Sequence, residues 1–510
     1  MDYLMGIDLG STSLKAIVYD LDGNMVAQGS RPTEKHNPED HPEWTVWLPD
    51  NIWGNTAEAV KEAVSKLDDP SAIKGVAVTG MGMDGVPMDA DGNWLYPFIS
   101  WHDNRTEPQL EWWKEHVGLD KYAINGNPGW AMNSALRMLW VKEHEPEILA
   151  KTHKWLLIED FINYMLCGVW ATDNSMASCT MLFNQKTRDW SPEIIELSGI
   201  DPTILPDIKP SGTVLGQIHD KASGATGLPV GTPVVMGGHD LLCGTLPVGA
   251  FEPGLALDVT GTWECIIFSM TEPTMTPTLQ EMGMTVQASV AKNRHAIWGA
   301  APANEMLEWF RKEFGFEAKH KAETDGGEDW DYLIPMAAES NPGSNGIFFL
   351  PHMSASACPV QDAKSLGAFV GLGARATYGD MLRAVLEGLN YQFLDIVNAT
   401  ELSLSTTVDK VIAVGGGTKN QLGMQNKADI INRPIEVPDV EEATPLGAAI
   451  LAGIGVGLYS DEQEAFKRVY RSGKTYEPDA ARAEVFRKRF EIYKELYPAL
   501  KPVNHRISDM

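Results

Sequence analysis

One pattern occurs twice in this chain of 510 residues, and it constrains the fold more than any other feature. An apolar run ends near an Asp, a turn of Gly, Ser and Thr follows, and a second apolar run begins. The first copy runs through Asp8-Leu9-Gly10-Ser11-Thr12 into Ser13 to Tyr19; the second runs through Asp258-Val259-Thr260-Gly261-Thr262 into the run from Trp263. In this reading Asp8 lines up with Asp258. A hydroxyl-rich turn between two strands exposes backbone N–H groups that can cradle phosphate. For either turn alone an ordinary hairpin is the simpler reading; the matched pair indicates a duplicated domain gripping one polyphosphate from both sides. Just before the second copy, the strand-like run Thr232 to Met236 breaks at Gly237-Gly238 into His239 and Asp240. Asp240 therefore sits where a strand gives way to a loop or helix start, a place where side chains face a cleft.

A chain of this length exceeds what one core usually serves, so two or three domains are expected. The composition, 44% hydrophobic and 22% charged, is that of a soluble globular protein. A formal net charge of −28 argues against nucleic acid and anionic membrane as partners. It does not exclude an anionic nucleotide, because a local nest of N–H groups or a bound Mg²⁺ overrides the global field. The five cysteines are scattered and form no C-x-x-C, which points to reduced thiols in a cytoplasmic protein. Met1 to Gly6 leads straight into a strand and leaves no room for a signal peptide. The stretch Ala448 to Tyr459 is too short and Gly-rich to span a bilayer.

Three antiparallel strands are expected at Leu4 to Ile7, Ser13 to Tyr19 and Asn24 to Gln28, with an Asp-Gly turn at Asp22-Gly23. A helix is expected through Ile52, Ala57, Val60 and Val64, then a buried strand from Ile73 to Val78. Strands and helices alternate onward, which means an α/β fold. Gly249 to Pro253 is the best boundary. The expected division is an N-terminal domain over 1–249, a second domain over 250–459, and amphipathic helices closing the chain over 460–510. Ser472-Gly473-Lys474-Thr475 contains the Gly-Lys-Thr of a P-loop, but Arg468 stands where that motif needs Gly; the segment reads as a loop.

Val411 to Val414 followed by Gly415-Gly416-Gly417-Thr418-Lys419-Asn420 is a strand breaking into three glycines and then a helix. Glycines let backbone approach a ligand closely, and a helix N-terminus favours anions. A tight turn needs one or two glycines, so three favour contact with phosphate or nucleoside. Together with the Asp8 turn, Gly237-Gly238-His239-Asp240 and Gly261-Thr262, this pattern resembles the FGGY carbohydrate kinases of the actin and sugar-kinase ATPase superfamily. Gly367-Ala368-Phe369-Val370-Gly371-Leu372, with Asp380 to Glu387 beyond it, matches the C-terminal signature of that family. Arg137 stands where the N-terminal signature usually has Lys. Gly82-Met83-Asp84-Gly85, Tyr96 to Trp101, Arg105-Thr106 and Gly261-Thr262-Trp263-Glu264 resemble the L-fuculokinase and ketose-kinase branch. Where the family commonly has Ser-Gly-Glu-Arg-Thr-Pro, this chain has Ser354-Ala355-Ser356-Ala357-Cys358-Pro359, without Glu or Arg.

The resemblance implies two ribonuclease-H-like domains around a central cleft, and phosphoryl transfer from ATP to a hydroxyl of a ketose such as L-fuculose or xylulose. Other substrates of the family (rhamnulose, ribulose, a sugar alcohol) and a catalytically silent sugar sensor remain as alternatives, and a homodimer is left open. Asp240 is implied as general base, against a plain helix N-cap. Asp8 is implied to hold Mg²⁺, against an Asp that closes a hairpin. Ser11, Thr12, Gly261 and Thr262 are implied at the phosphates, and Gly416, Gly417, Asn420 and Gln425 at the nucleoside. For the sugar, Asp84, Trp101, Asp103, Arg105 and His239 supply polar partners and an aromatic face. Arg105 reads equally as a salt-bridge partner of Asp103, and Trp44 and Trp47 equally as core.

Overall fold

The computed structural model describes residues 1–353, 356 and 358–510. Its first sheet begins with strands β1 (Tyr3–Leu9), β2 (Ser13–Asp20) and β3 (Met25–Pro32). The Asp-Gly turn forms as expected. Asp20 Oδ1 accepts from the amides of Asp22 and Asn24, each at 2.9 Å, and Gly23 takes a φ of 80° that favours glycine. Helix α1 (Pro49–Ser65) follows, with Pro in its first turn and Ile52, Ala57, Val60 and Val64 turned inward. Strand β4 (Ile73–Gly80) then pairs parallel to β1. Helices α2 (Ser134–His144) and α3 (Ile158–Cys167) precede β5 (Val214–Gln217) and β6 (Pro233–His239). The six strands lie in the order β5-β6-β4-β1-β2-β3.

The second sheet repeats the plan. It contains β7 (Leu255–Thr260), β8 (Trp263–Met270), β9 (Thr285–Ala288), β10 (His295–Pro302), β11 (Lys410–Val414), β12 (Ile435–Val437) and β13 (Lys474–Tyr476). Their order is β9-β10-β8-β7-β11-β12-β13. Its helices are α4 (Asn304–Phe314), α5 (Asp329–Glu339), α6 (Tyr378–Leu404), α7 (Gln421–Ile431), α8 (Ala443–Gly455) and α9 (Ala480–Ser508). Thr377 and Asp380 form a capping box at the start of α6.

The central strands of both sheets are buried on both faces, and alternation sorts their side chains into layers. Met5, Ile7 and Leu9 face an outer core with α1 and α3. Ala256, Ile266, Val411 and Ala413 face the opposite outer core, with α6, α7 and α9. Leu4, Ile17, Leu257, Ile267 and Ile412 face a shared inner layer with α8. The result is five layers, α/β/α/β/α. Helix α8 lies very close to its neighbours: a Cβ on Gly6 would overlap the Pro445 carbonyl oxygen, and one on Gly447 the Cys243 carbonyl oxygen.

Two expectations need correcting. Asp8 and Asp258 are not equivalent. Asp8 is one residue before the last paired position of β1, Leu9, whereas Asp258 is two before the last of β7, Thr260. One residue of offset turns a strand side chain to the other face; Asp8 shares the inner face with Leu4, and Asp258 the outer face with Ala256. The C-terminal segment is also not helix alone. Lys474–Tyr476, expected as a loop, is the edge strand β13 and pairs antiparallel with β12. The helical reading of 460–510 gave no sign of it, because a strand of three residues is too short to show a period.

Candidate active site

Asp8 sits near the carboxyl end of β1, opposite Lys15 on β2 and beside Thr79 on β4. Burial and the neighbouring Asp240 hold its pKa up, at about 8, against the pull of Lys15. Lys15 Nζ is in turn 2.7 Å from Glu442 Oε1, just ahead of α8. A buried carboxylate with a second one nearby is a place that favours an added cation. Among the described residues no group of three or more His, Cys, Asp or Glu is arranged to cage a metal. That donor set suits Mg²⁺, which takes one or two carboxylates and otherwise water and phosphate oxygens.

Asp240 opens a short helix, Asp240–Cys243, directly after β6. Among the described residues it caps nothing beyond its own neighbour: Oδ1 accepts from the Leu241 amide, at 2.6 Å. The N-cap alternative is therefore not realised. Its side chain keeps 27% of its exposure, and burial raises its pKa while His239 lowers it. His239 Nε2 is 3.3 Å from Asp240 Oδ1. The charge of Asp240 reaches Cys265 on β8, whose thiol burial chiefly pushes up to about 12. Cys265 pairs with Val259 of β7, so the end of the second sheet that carries the β7–β8 turn is the one that feels this aspartate.

Ser11 and Thr12 form the β1–β2 turn beside Asp8, closed by a 3.2 Å bond from the Gly10 amide to the Ser13 carbonyl. Gly261 and Thr262 form the β7–β8 turn. It is tied to the start of α4: Asn304 Nδ2 donates to the Gly261 carbonyl at 2.7 Å, and the Glu305 amide to that of Thr262 at 3.2 Å. Gly416 and Gly417 follow β11, and a Cβ on Gly417 would overlap Thr260 Oγ1. Beyond them opens a cavity of about 640 Å³ lined by Gly416, Gly417, Asn420, Asn304, Trp330 and Pro335, among others. Asn420 also caps α7, accepting from the Gly423 amide at 3.0 Å. Gln425 does not belong to this wall. Its amide donates to Asp429 Oδ1 at 3.0 Å and to the Glu477 carbonyl at 2.9 Å, on the side of α7 that faces the C-terminal strand and helix.

Asp84 is fully buried in the first lobe. Trp47 Nε1 donates to its Oδ2 at 2.6 Å, while Oδ1 has no hydrogen-bond partner and lies 3.6 Å from Arg137 of α2. Burial raises its pKa to about 7, with Arg137 and Trp47 opposing. Trp101 is 38% exposed and stacks on His102 at 3.7 Å. Asp103 and Arg105 take each other up. Arg105 Nε is 2.9 Å from Oδ1 and a terminal nitrogen 2.6 Å from Oδ2, both side chains are buried, and the guanidinium lies 3.8 Å over Trp44. The salt-bridge reading of that pair is the one realised. Trp47 is core by burial, yet it also orients Asp84. The departure at 354–359 falls in part on Ser354, Ala355 and Ala357, which lie outside the described residues.

Lys15, Glu442, Gln287, Trp298 and Asn304 escaped the sequence reading. A signal existed for two of them: Lys15 interrupts the apolar strand Ser13 to Tyr19, and Gln287 interrupts the apolar run of β9.

Two lobes of duplicated sheet topology, with aspartates and hydroxyl turns where the inner strands end, define a sugar kinase of the actin-like ATPase fold. The chain belongs to the FGGY family of carbohydrate kinases: the family's N-terminal domain matches residues 3–246 and its C-terminal domain residues 256–456. It is 30% identical to L-fuculokinase of Escherichia coli K12, over 94% of this chain and 97% of the other. It is 29% identical to autoinducer-2 kinase of Photorhabdus laumondii, over 97% of this chain and 94% of the other. The crystal structure of xylulose kinase from Rhodospirillum rubrum superposes with a TM-score of 0.89 at 27% identity, covering 99% of this chain and all of that one (100%). The chain is thus an ATP-dependent carbohydrate kinase, with no helix among the described residues long and apolar enough to cross a membrane.

Proposed function

We propose that this kinase phosphorylates a ketose of the L-fuculose or xylulose kind. The observation that carries the chemistry is the pair of aspartates Asp8 and Asp240, close enough that the charge of Asp240 helps hold the Asp8 pKa up, with a hydroxyl-bearing turn directly after Asp8. In this reading the sugar hydroxyl oxygen attacks the γ-phosphorus, Asp240 accepts the hydroxyl proton, and the bridging oxygen departs with ADP. Mg²⁺ bound through Asp8 would neutralise charge on the phosphates. Ser11, Thr12, Gly261 and Thr262 donate to the phosphates, and the glycine-lined cavity takes the nucleoside. Residues 1–249 are the sugar lobe and 250–459 the nucleotide lobe.

Three features support a polyhydroxylated ketose. Asp84 offers an unpartnered carboxylate oxygen, Trp101 an exposed aromatic face, and His239 a second polar group beside the base. The likeness to L-fuculokinase extends over both lobes. Asp103 and Arg105 act behind this wall by holding the loop that carries Trp101.

The test is ADP release with Mg·ATP across L-fuculose, L-rhamnulose, the xyluloses, the ribuloses, D-tagatose, erythritol and glycerol. The expected result is one strong responder among the ketoses. A polyol alone as responder would sink the ketose assignment. No responder, with ATP still bound, would favour a silent sensor.

A further inference from the structure

The reading of Asp240 as base leaves open what holds it in place, and a hydrogen-bond chain from the other lobe supplies an answer. Gln287 on edge strand β9 is fully buried. Its Oε1 is 3.0 Å from Trp298 Nε1 and 3.1 Å from His239 Nδ1, and its Nε2 is 3.0 Å from Cys179 Sγ. An indole N–H can only donate. The amide atom beside Trp298 must therefore be the oxygen, which fixes the orientation of the Gln287 side chain. That oxygen can only accept, so the imidazole nitrogen beside it must carry a proton. His239 is thereby held with hydrogen on Nδ1, and in its neutral form Nε2 carries a lone pair.

Nε2 is the nitrogen 3.3 Å from Asp240 Oδ1. In that tautomer the N–H faces Gln287, and the nitrogen nearest the base is the one with the lone pair. The rest of the chain is fixed as well. The His239 amide donates to Ser175 Oγ at 2.8 Å, and Ser175 Oγ donates to Asp173 at 2.7 Å. On either side of Gln287, the Val286 amide donates to the Gly126 carbonyl at 2.8 Å and the Ala288 amide to Ser178 Oγ at 3.2 Å. β9 is thus docked on the first lobe where Gln287 reaches His239.

We propose that Gln287 is a positioning residue for the base, oriented by Trp298. It sets the tautomer of His239 from across the lobe boundary, and with it which imidazole nitrogen stands beside Asp240. The hydrogen-bonding character of the imidazole beside the base then depends on how β9 sits against the first lobe.

The experiment is ¹⁵N NMR of the full-length chain labelled at histidine, without sugar or nucleotide, with His239 assigned by its loss in His239→Asn. A protonated Nδ1 is expected in the wild type. Gln287→Leu should lose that signature in favour of the opposite tautomer or a mixture. Gln287→Glu, which keeps acceptor oxygens for both Trp298 and His239, should restore it. Trp298→Phe, which frees the amide to turn, should give a mixture, and it serves where Gln287→Leu does not fold. An unprotonated Nδ1 in the wild type, or an unchanged His239 signature in folded Gln287→Leu or Trp298→Phe, would overturn the proposal. Because no substrate is present, this outcome is separate from that of the sugar panel.

Discussion

Asp84 is held where ionisation is costly, and the direction of its pKa shift gives a stability that varies with pH. Its folded pKa, about 7, lies above the ordinary 3.8. Between those values the folded state binds the extra proton. Stability from this group is therefore fully present below the ordinary value and is lost as pH rises through about 7. The loss is at most about 1.4 kcal/mol for each pH unit crossed. In Asp84→Asn, urea midpoints measured from pH 4 to 8 are expected to lose much of that slope; an unchanged slope would mean Arg137 keeps Asp84 ionised throughout. Asp240→Asn is expected to lower kcat by about 10²- to 10⁴-fold, the usual worth of a general base. Calorimetric titration should find ATP affinity kept, and a loss of ATP affinity matching the loss of turnover would argue for a structural role. Both aspartates were legible because each breaks an apolar run beside glycine. The burial of Asp103 and Arg105 against each other was not, since a D-x-R spacing looks the same whether the pair faces ligand or core.

Elements meet in this molecule through glycine at a few close approaches, and those positions separate packing from binding. Gly6→Ala places a methyl against the Pro445 carbonyl and should destabilise by roughly 1–3 kcal/mol, the usual range for overpacking. Gly416 has open space around its Cβ position, at the mouth of the cavity. Gly416→Val is therefore expected to leave the melting temperature nearly unchanged and to raise KM for ATP. Equal losses of stability in both variants would mean the 415–417 turn is a packing turn only. The strands β1, β2 and β7 could be read from their apolar runs, each broken by a single charged residue within the run and otherwise apolar because both faces are covered. What could not be read was register. One residue decided whether Asp258 faced the inner layer or, as found, Lys427, whose Nζ lies 2.6 Å from Asp258 Oδ2 on the outer face. Periodicity locates a strand, but it does not say where its turn begins.

At the scale of the whole molecule the duplication was legible, and the connection between its halves was not. Residues 460–510 close the second lobe, adding β13 to its sheet and burying Phe486, Phe490 and Tyr493 against α6. A chain ending at Tyr459 is expected to melt at lower temperature or to aggregate; unchanged melting would mark the segment as a dispensable appendage. Helix α8 makes a longer connection still. It comes late in the sequence, yet it fills the layer against β1, which comes first. During synthesis on the ribosome, the inner face of the first sheet stays without its cover until that helix has emerged. At about 5–20 residues per second this takes on the order of tens of seconds. For that interval the nascent N-terminal half is an apolar surface in search of a partner, and a chaperone is the natural temporary one. Stalled chains ending before Ala443 should be retained by such a chaperone, and chains carried past Gly455 and clear of the exit tunnel should be released.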